Sequence, residues 1–264
     1  MAIIDTSGLE PFADLLKEIY GDLAKPGVAQ VGIALATVIG LLNTCLSPIK
    51  FLNEKTELNR QNNLKQLAKR FSEIPTENIV EAPPEIAVPI AEKLAYVSNE
   101  DIRNMYIELL AKASSINLNE KAHPSFVNII NNLSPDEAKL ISYLKEIGGI
   151  PFVNIMRKSI DHTVLHIDPL VCLIPELQLT FTNNLKAYLS NLEAAGLIII
   201  DSNVWATNDG AYEAHKEYLT SKIPYYDERY KDEPMDKTPS PVYTFNKGIV
   251  RITDFGTLFF SAVI

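Results

Sequence analysis

The sequence is poor in cysteine, and its first residues lack the features of a secretory signal. Cys45 and Cys172 are the two cysteines among 264 residues, and both lie in apolar stretches. We expect two buried thiols in a reducing compartment, because nothing in the pattern favours a disulfide between them. The first ten residues include Asp5 and Glu10 and have neither a basic nor an apolar signal region. We therefore expect a cytoplasmic protein or one with an uncleaved membrane helix.

Basic residues and catalytic motifs are also scarce. The chain has 24 basic and 33 acidic residues and a net charge of −9, which argues against a protein that coats nucleic acid. It contains no glycine-rich phosphate loop and no GxSxG or HExxH motif. His162 and His166 have the spacing of a helical ligand pair, but the residues between them favour a strand and no ligand cluster accompanies them. We therefore expect a protein that is not an enzyme, with no catalytic residues, no cofactor and no metal.

Helical patterns dominate the first half of the chain. Residues 1–75 are predicted to form three helices, and a proline-rich boundary separates them from a helical block over residues 76–133. The apolar positions of the third helix recur at three- and four-residue intervals: Leu64, Leu67, Phe71 and Ile74. These patterns predict an N-terminal helical bundle.

From residue 134 onwards, strands are predicted between the helices. A helix capped at Ser134 ends at Gly148-Gly149, and a later helix stops at Gly196 before a β-like run. A polar, proline-spaced stretch follows, about residues 206–241, and its mixed-charge run over residues 227–237 is predicted to be a solvated loop. Asn246-Lys247-Gly248 then predicts a β-hairpin. This order favours a mostly α protein whose helical bundle precedes a winged-helix-like α+β domain, residues 134–264, with a late β-hairpin.

The charge of this last domain argues against DNA as its partner. Its would-be recognition helix, residues 183–195, carries Lys186 and Glu193, and residues 136–264 hold 12 basic and 17 acidic side chains. A DNA-reading domain presents a basic face to the phosphates, so we expect a protein-interaction or structural domain instead. The helix and the strand after it are predicted to bury one apolar face: Leu185, Tyr188, Leu189, Leu192 and Leu197.

The longest uncharged stretch runs from Val28 to Ile49, between Lys25 and Lys50. As a helix it would be about 33 Å long, enough to cross a bilayer. One face is bulky and the other is small or weakly polar. This pattern suits a self-associating membrane helix and equally a buried helix of a soluble bundle. The candidate residues for helix–helix contact or membrane insertion are Gly32, Leu35, Ala36, Gly40 and Leu42.

The two flanks of this stretch differ in charge. Residues 1–25 carry five acidic and two basic side chains, whereas residues 50–70 carry two acidic and six basic ones. A cytoplasmic basic flank would follow the positive-inside rule, and an acidic helix packed beside a basic one explains the same pattern. The basic side chains are candidate contacts to an anionic surface: Lys50, Lys55, Arg60, Lys65, Lys69 and Arg70.

Several runs of the sequence together carry a family resemblance. They are "AKPGVAQVGIALATVIGLLNTCLSPIKFLNEK", "EIPTENIVEAPPEIAVPIAEKLAYVSNEDIRNMYIELLAKA", "HPSFVNIINNLSPDEAKLI", "YLSNLEAAGLI" and "VRITDFGTLF". In this order, from about residue 20 to the end, they resemble the abortive-infection alpha (Abi-alpha) family. The resemblance implies a bacterial phage-defence protein, which makes infected cells stop growing or die before phage is released. It implies no catalytic residues.

Three functional hypotheses remain open at this stage. In the first, a non-enzymatic effector releases its apolar helix into the inner membrane, where it self-associates as a homo-oligomer while residues 50–70 lie on anionic lipid. In the second, a soluble adaptor or regulator binds phage or host proteins. In the third, residues 50–70 bind nucleic acid, which requires salt-dependent retention. The expected location is the cytoplasm, or the inner membrane upon activation.

Overall fold

The computed structural model describes residues 54–158, 164–231 and 242–264. Two compact units are found: the described residues up to Ala138 with Leu258–Ile264, and Lys139–Thr257. Eight α-helices and four β-strands lie within the described residues. The fold is therefore mostly helical with one antiparallel sheet, and its class is α+β rather than all-α.

Within the described residues, five α-helices precede the first strand along the chain, and strands and helices are mixed after it. The helical half contains α1 (Glu54–Ser72), α2 (Pro84–Leu94), α3 (Glu100–Ala113), α4 (Ser125–Asn131) and α5 (Pro135–Ile147). The mixed half contains β1 (Gly149–Lys158), β2 (Val164–Val171), α6 (Leu185–Ala194), β3 (Ile198–Asp201), α7 (Glu213–Arg229), β4 (Val242–Ile252) and α8 (Asp254–Val263).

The apolar stripe predicted for the third helix is confirmed in α1. Leu64, Leu67, Phe71 and Ile74 are all buried, at 7% exposure or less. Burial of this stripe also draws a polar residue into the core. The side-chain amide of Asn63 donates to the carbonyl oxygens of Leu94, at 2.9 Å, and Val97, at 2.8 Å. These bonds satisfy carbonyl groups at the end of α2 that the helix itself leaves without partners.

The capped helix predicted after Ser134 is confirmed as α5. The Ser134 N–H donates to Glu137 Oε2 at 2.7 Å, and the Glu137 N–H donates to Ser134 Oγ at 3.3 Å. This reciprocal pair is a capping box, which satisfies two donors at the start of the helix. The helix ends at Gly148, whose φ of +77° is a left-handed conformation that favours glycine.

All strand pairs of the four-stranded sheet in the second unit are antiparallel. The strand order is β2-β1-β4-β3, and β1 pairs with β4 along its whole length, from Gly149 opposite Arg251 to Lys158 opposite Val242. Both faces of β1 are covered, because Phe152 and the neighbouring Val153 point to opposite faces and are both buried. β1 is thus the central strand of the unit's core.

The predicted late hairpin is wrong. Asn246, Lys247 and Gly248 lie within β4, where Gly248 pairs with Phe152 of β1. A Cβ atom at Gly248 would lie 2.2 Å from Cζ of the Phe152 ring, so the glycine makes room for an aromatic ring and does not form a turn. The hairpin on which the winged-helix interpretation depended is therefore absent from the described residues, and a winged helix is not shown.

The loop predicted over residues 227–237 is wrong at its start, because residues 227–229 belong to α7 (Glu213–Arg229). Pro224 lies inside α7, although proline disfavours a helix interior. The helix is stabilised by packing, because its apolar side chains join β-strand residues in one buried cluster. The members of this cluster are Val153, Ile155, Val171, Tyr212, Leu219 and Tyr226.

The buried face predicted for α6 and β3 is confirmed for four of its five residues. Tyr188, Leu189, Leu192 and Leu197 are at most 9% exposed. Leu185, the first residue of α6, is only partly buried. The Gly196 stop between the two elements is also confirmed, with a φ of +75°.

Candidate functional site

The residues predicted for helix–helix contact or membrane insertion lie outside the described part of the chain. They are Gly32, Leu35, Ala36, Gly40 and Leu42, and Lys50 of the basic set lies outside it as well. Within residues 54–158, 164–231 and 242–264, no helix is long and apolar enough to cross a membrane. The roles of these residues remain predictions.

The remaining basic residues lie along α1: Lys55, Arg60, Lys65, Lys69 and Arg70. Lys65 and Lys69 are exposed. Arg70 is instead tied to α3, because its Nε and Nη2 donate to the two carboxylate oxygens of Glu108 at 2.6 and 3.2 Å. This two-bond ion pair raises the pKa of Arg70 and connects two helices of the first unit.

A groove in the second unit brings together aromatic and charged side chains that the sequence did not single out. We call it the tyrosine groove. It has a volume of about 440 Å³ and lies between β2 and α7. Its lining residues are Ile167, Asp168, Tyr218, Lys222, Tyr225, Tyr226, Arg229 and Tyr230.

One side of α7 supplies most of this lining because of the spacing of its residues. Tyr218, Lys222, Tyr225 and Arg229 follow one another at intervals of four, three and four residues, which places them on one side of a helix. The side chains at positions between them complete the buried cluster or lie on the opposite side. By the same helical spacing, the acidic residues of α7 lie away from the side that faces the groove: Glu213, Glu217, Asp227 and Glu228.

The cations and tyrosines at the rim of the groove are paired. Lys222 Nζ lies 5.3 Å from the ring centroid of Tyr218, and Arg229 lies 5.7 Å from that of Tyr230. Arg229 Nη1 also donates to the hydroxyl of Tyr225 at 2.8 Å, and this hydrogen bond raises the pKa of Arg229. The cation–π contacts hold both cations over aromatic faces while leaving further N–H groups directed to solvent.

Asp168 connects the floor of the groove to two helices. Its carboxylate pairs with the ammonium of Lys186 on α6 and accepts a hydrogen bond from the hydroxyl of Tyr226 on α7 at 3.1 Å. Burial and the nearby carboxylate raise the pKa of Tyr226 far above its usual range, so this hydroxyl is a permanent donor. Asp168 therefore acts as a fixed acceptor whose charge is compensated by Lys186.

A second cavity, also of about 440 Å³, adjoins the tyrosine groove at Tyr218. We call it the apolar recess. Its wall is the segment between β2 and α6 together with Tyr218, and its lining residues are Cys172, Leu173, Ile174, Pro175, Leu177, Leu179, Thr182, Asn183, Leu185 and Tyr218. Burial raises the pKa of Cys172 to about 12, so this thiol is an apolar wall group rather than a nucleophile.

His215 of α7 positions the wall of the apolar recess. Its Nε2 accepts a hydrogen bond from the Leu173 N–H at 3.0 Å, and the side chain is buried. Burial lowers the pKa of His215, which keeps Nε2 unprotonated and able to accept. The recess wall is therefore held against the same helix that carries the groove.

The sequence contained one signal that could have revealed the tyrosine groove. The regular helical spacing of Tyr218, Lys222, Tyr225 and Arg229 indicates an aromatic and basic helix side within the polar, proline-spaced stretch. The partners of this side on β2 could not be anticipated, because Asp168 is about fifty residues earlier in the chain. Lys186, expected to be exposed, is exposed by 47% and is bound to Asp168.

Comparisons with known proteins place this chain in a family but leave its mechanism open. A family model described as "Abortive infection alpha" matches residues 56–263. A search of curated proteins found no match. Among solved structures, one from the marine bacterium Alcanivorax borkumensis SK2, described as an uncharacterized protein, is similar at 15% identity with a TM-score of 0.34. The match covers 52% of this chain and 90% of that one. Because the family model spans most of the sequence, the chain belongs to the abortive infection alpha family.

Proposed function

We propose that this protein is a non-enzymatic component of abortive infection that binds a protein partner through its tyrosine groove. Family membership supports the phage-defence role. The observation that carries the binding role is the groove itself, where four tyrosines and two cations lie on one side of α7 and on its C-terminal cap. Tyrosine and arginine are enriched among the residues that dominate the energy of protein interfaces.

The exposure of the rim residues supports a binding role. Tyr218 and Tyr225 are 42% and 55% exposed although both carry large aromatic rings. Each is held by a neighbouring cation, so little side-chain freedom remains to be lost when a partner binds. A partner that covered these rings would remove apolar surface from water at low entropic cost.

The titratable groups around the two cavities support a non-enzymatic role. Asp168 is already bound by Lys186 and Tyr226, Cys172 is protonated at neutral pH, and His215 has its Nε2 in a structural hydrogen bond. A catalytic acid, base or nucleophile needs a reactive protonation state and a free approach to the substrate. These groups are instead committed to holding the two cavities in shape.

The test is phage protection by the full chain carrying Tyr225→Ala. We expect plating efficiency to rise at least tenfold towards that of cells without the protein, because the substitution removes a rim ring and the Arg229 contact. Tyr96→Ala is the matched control, since Tyr96 is 48% exposed, lies in the first unit and also has a cation over its ring, Lys93 at 5.5 Å. Full protection with Tyr225→Ala, at equal expression, would contradict the proposal.

A second proposal concerns the step that stops growth, and it follows from the uncharged stretch between Lys25 and Lys50. Here residues 28–49 insert into the inner membrane on activation and self-associate through Gly32, Ala36 and Gly40. Leu35→Asp should then abolish both toxicity and the loss of membrane potential, which a potential-sensitive dye reports. Leu58→Asp, at a position 67% exposed on α1, is the control. Equal depolarisation by Leu35→Asp and by the unmodified protein would rule out insertion.

A further inference from the structure

The tyrosine groove and the apolar recess together specify a more definite partner than an unspecified protein surface. We propose that they bind an acidic peptide segment of the partner, in which an apolar side chain enters the recess and two carboxylates lie over Lys222 and Arg229. This inference rests on the proposed function, because it names the chemistry of the segment that the groove recognises. The argument uses charge, spacing and the junction of the two cavities.

The groove is positive although the chain as a whole carries a net charge of −9. Asp168 lies at its floor, but Lys186 compensates that charge. Arg157 of β1 does not line the groove, but it lies behind the lining residue Tyr230, to whose carbonyl its Nη1 donates at 3.2 Å. A local positive site on a negative protein attracts a carboxylate only at short range, which favours selective contact over general adhesion to polyanions.

The two rim cations have donors left for a ligand. In the described part of the chain, Lys222 has a contact with the Tyr218 ring but no ion pair with a carboxylate. Arg229 uses one N–H for the Tyr225 hydroxyl, and a guanidinium carries five. Each cation also lies beside an aromatic ring, which holds it at the rim, where a carboxylate can approach it.

The spacing of the cations limits the spacing of the ligand's charges. Lys222 and Arg229 are seven residues apart on one helix, which corresponds to about 10.5 Å along its axis. A peptide in the polyproline II conformation has three residues per turn and rises about 9.3 Å over them, so carboxylates at positions i and i+3 lie on one face and match the two cations. A nucleic-acid strand brings negative charge at every nucleotide and calls for a run of cations, which this negatively charged chain does not offer in the groove.

The junction of the cavities places the apolar side chain. Tyr218 lines both, so a peptide that passes over this ring can reach both the carboxylate contacts and the recess. The recess is walled by leucine, isoleucine and proline side chains and by the protonated thiol of Cys172. One leucine-sized side chain of the ligand would fill part of it. Its burial would add to the affinity without requiring one particular apolar residue.

The probe is a set of fluorescein-labelled twelve-residue peptides in a glycine–serine background. Each carries one leucine followed, after two to five residues, by two glutamates at positions i and i+3. Fluorescence anisotropy with the full-length protein at low salt should show at least tenfold tighter binding than for the matched peptides with glutamine. Lys222→Ala with Arg229→Ala should reduce the glutamate peptides to the glutamine level. Lys145→Ala, an exposed lysine on α5, should leave binding unchanged.

Two results would overturn the inference. One is equal binding of the glutamate and glutamine peptides by the unmodified protein, or equally tight binding of the glutamate peptides by the unmodified protein and by the variant without both cations. The other is tighter binding of a labelled twelve-nucleotide single strand than of any peptide, which would indicate a nucleic-acid ligand. Replacement of the peptide leucine with serine should weaken binding at least threefold, and an unchanged affinity would exclude the recess as the apolar contact.

Phage protection separates failure of this inference from failure of the proposed function. If Tyr225→Ala abolishes protection while the variant without Lys222 and Arg229 retains it, the groove binds a partner but the partner is not acidic. If Tyr225→Ala retains protection, the proposed function fails and the inference fails with it. Loss of protection in both variants, with Lys145→Ala fully protective, is the result that we expect.

Discussion

Replacement of Gly248 with alanine tests how the central strands of the sheet are assembled. Gly248 pairs with Phe152, and a Cβ atom built on the glycine would lie 2.2, 2.6 and 2.7 Å from three atoms of that ring. The ring is 1% exposed, so it has no empty space into which to turn. The substitution should therefore destabilise the second unit through overlap of the new methyl group with the ring.

The magnitude follows from the number of overlapping atoms. Insertion of a methyl group into a filled core costs about 1–3 kcal/mol. Because three ring atoms would lie closer to the new Cβ than van der Waals contact allows, Gly248→Ala should cost about 3 kcal/mol. Phe152→Leu removes all three of those ring atoms, because leucine ends at Cδ. Alone it should cost about 1–2 kcal/mol, and it should make the alanine at 248 nearly neutral. The two substitutions should therefore show a coupling of about 3 kcal/mol.

Urea unfolding of the full-length protein measures this coupling. Trp205 is the single tryptophan of the chain and lies in the second unit, so its fluorescence reports on the unit that contains both substitutions. Far-ultraviolet circular dichroism of the same samples checks that the helices unfold in the same transition. If Gly248 instead formed a tight turn, alanine would cost the same with leucine as with phenylalanine at position 152. Additive free energies would therefore refute the reasoning.

Three further predictions concern one ion pair, one histidine and one cysteine. Arg70→Ala and Glu108→Ala should show a coupling of about 1 kcal/mol in urea unfolding, because their two-bond ion pair is about a quarter exposed; additivity would show that it contributes nothing. Burial lowers the pKa of His215, so the unfolded chain takes up a proton first and the free energy of unfolding should fall as the pH drops below about 6.5. His215→Gln, whose side-chain oxygen can still accept from Leu173, should reduce that dependence, and an unchanged pH profile would refute its source. Alkylation of Cys172 at pH 8, followed by mass spectrometry, should be about 100-fold or more slower than that of a small free thiol, since its pKa is about 12; a comparable rate would mean that the recess opens.

The sequence predicted the helices whose apolar residues recur regularly. The stripe from Leu64 to Ile74 and the capped helix from Ser134 to Gly148 carry their information within one stretch of chain, as spacing, caps and a stop signal. Such signals depend on local geometry and do not need knowledge of the partner element. For the same reason the buried face from Tyr188 to Leu197 could be identified without its neighbours.

The errors occurred where a distant partner decided the structure. Gly248 was interpreted as a turn residue because glycine after asparagine and lysine is typical of hairpins, whereas the ring of Phe152, almost a hundred residues earlier, accounts for it. No helix was predicted over most of α7, and packing of Leu219 and Tyr226 in the buried cluster outweighs the local preference of Pro224 against a helix. Tertiary contacts routinely override propensity in this way.

The site was predicted less well than the fold because its residues come from separate elements. Tyr218 and Arg229 lie on α7, Asp168 lies on β2 and Lys186 lies on α6, so no single motif contains them. Their types are common on protein surfaces, and only the fold brings them to one groove. Sequence patterns of catalytic sites are easier to detect because the chemistry constrains spacing within one segment.

The floor and the rim of the tyrosine groove differ in how strongly the fold constrains them, and Tyr226 belongs to the floor. Its ring belongs to the buried cluster and its hydroxyl reaches Asp168, so the floor of the groove cannot change without loss of folding stability. The rim residues Tyr218, Lys222 and Arg229 are exposed, so substitutions there should leave the core intact. Under the proposed function, the ligand preference of the groove can therefore change by substitutions at the rim, while the residues that shape its floor stay constrained by folding.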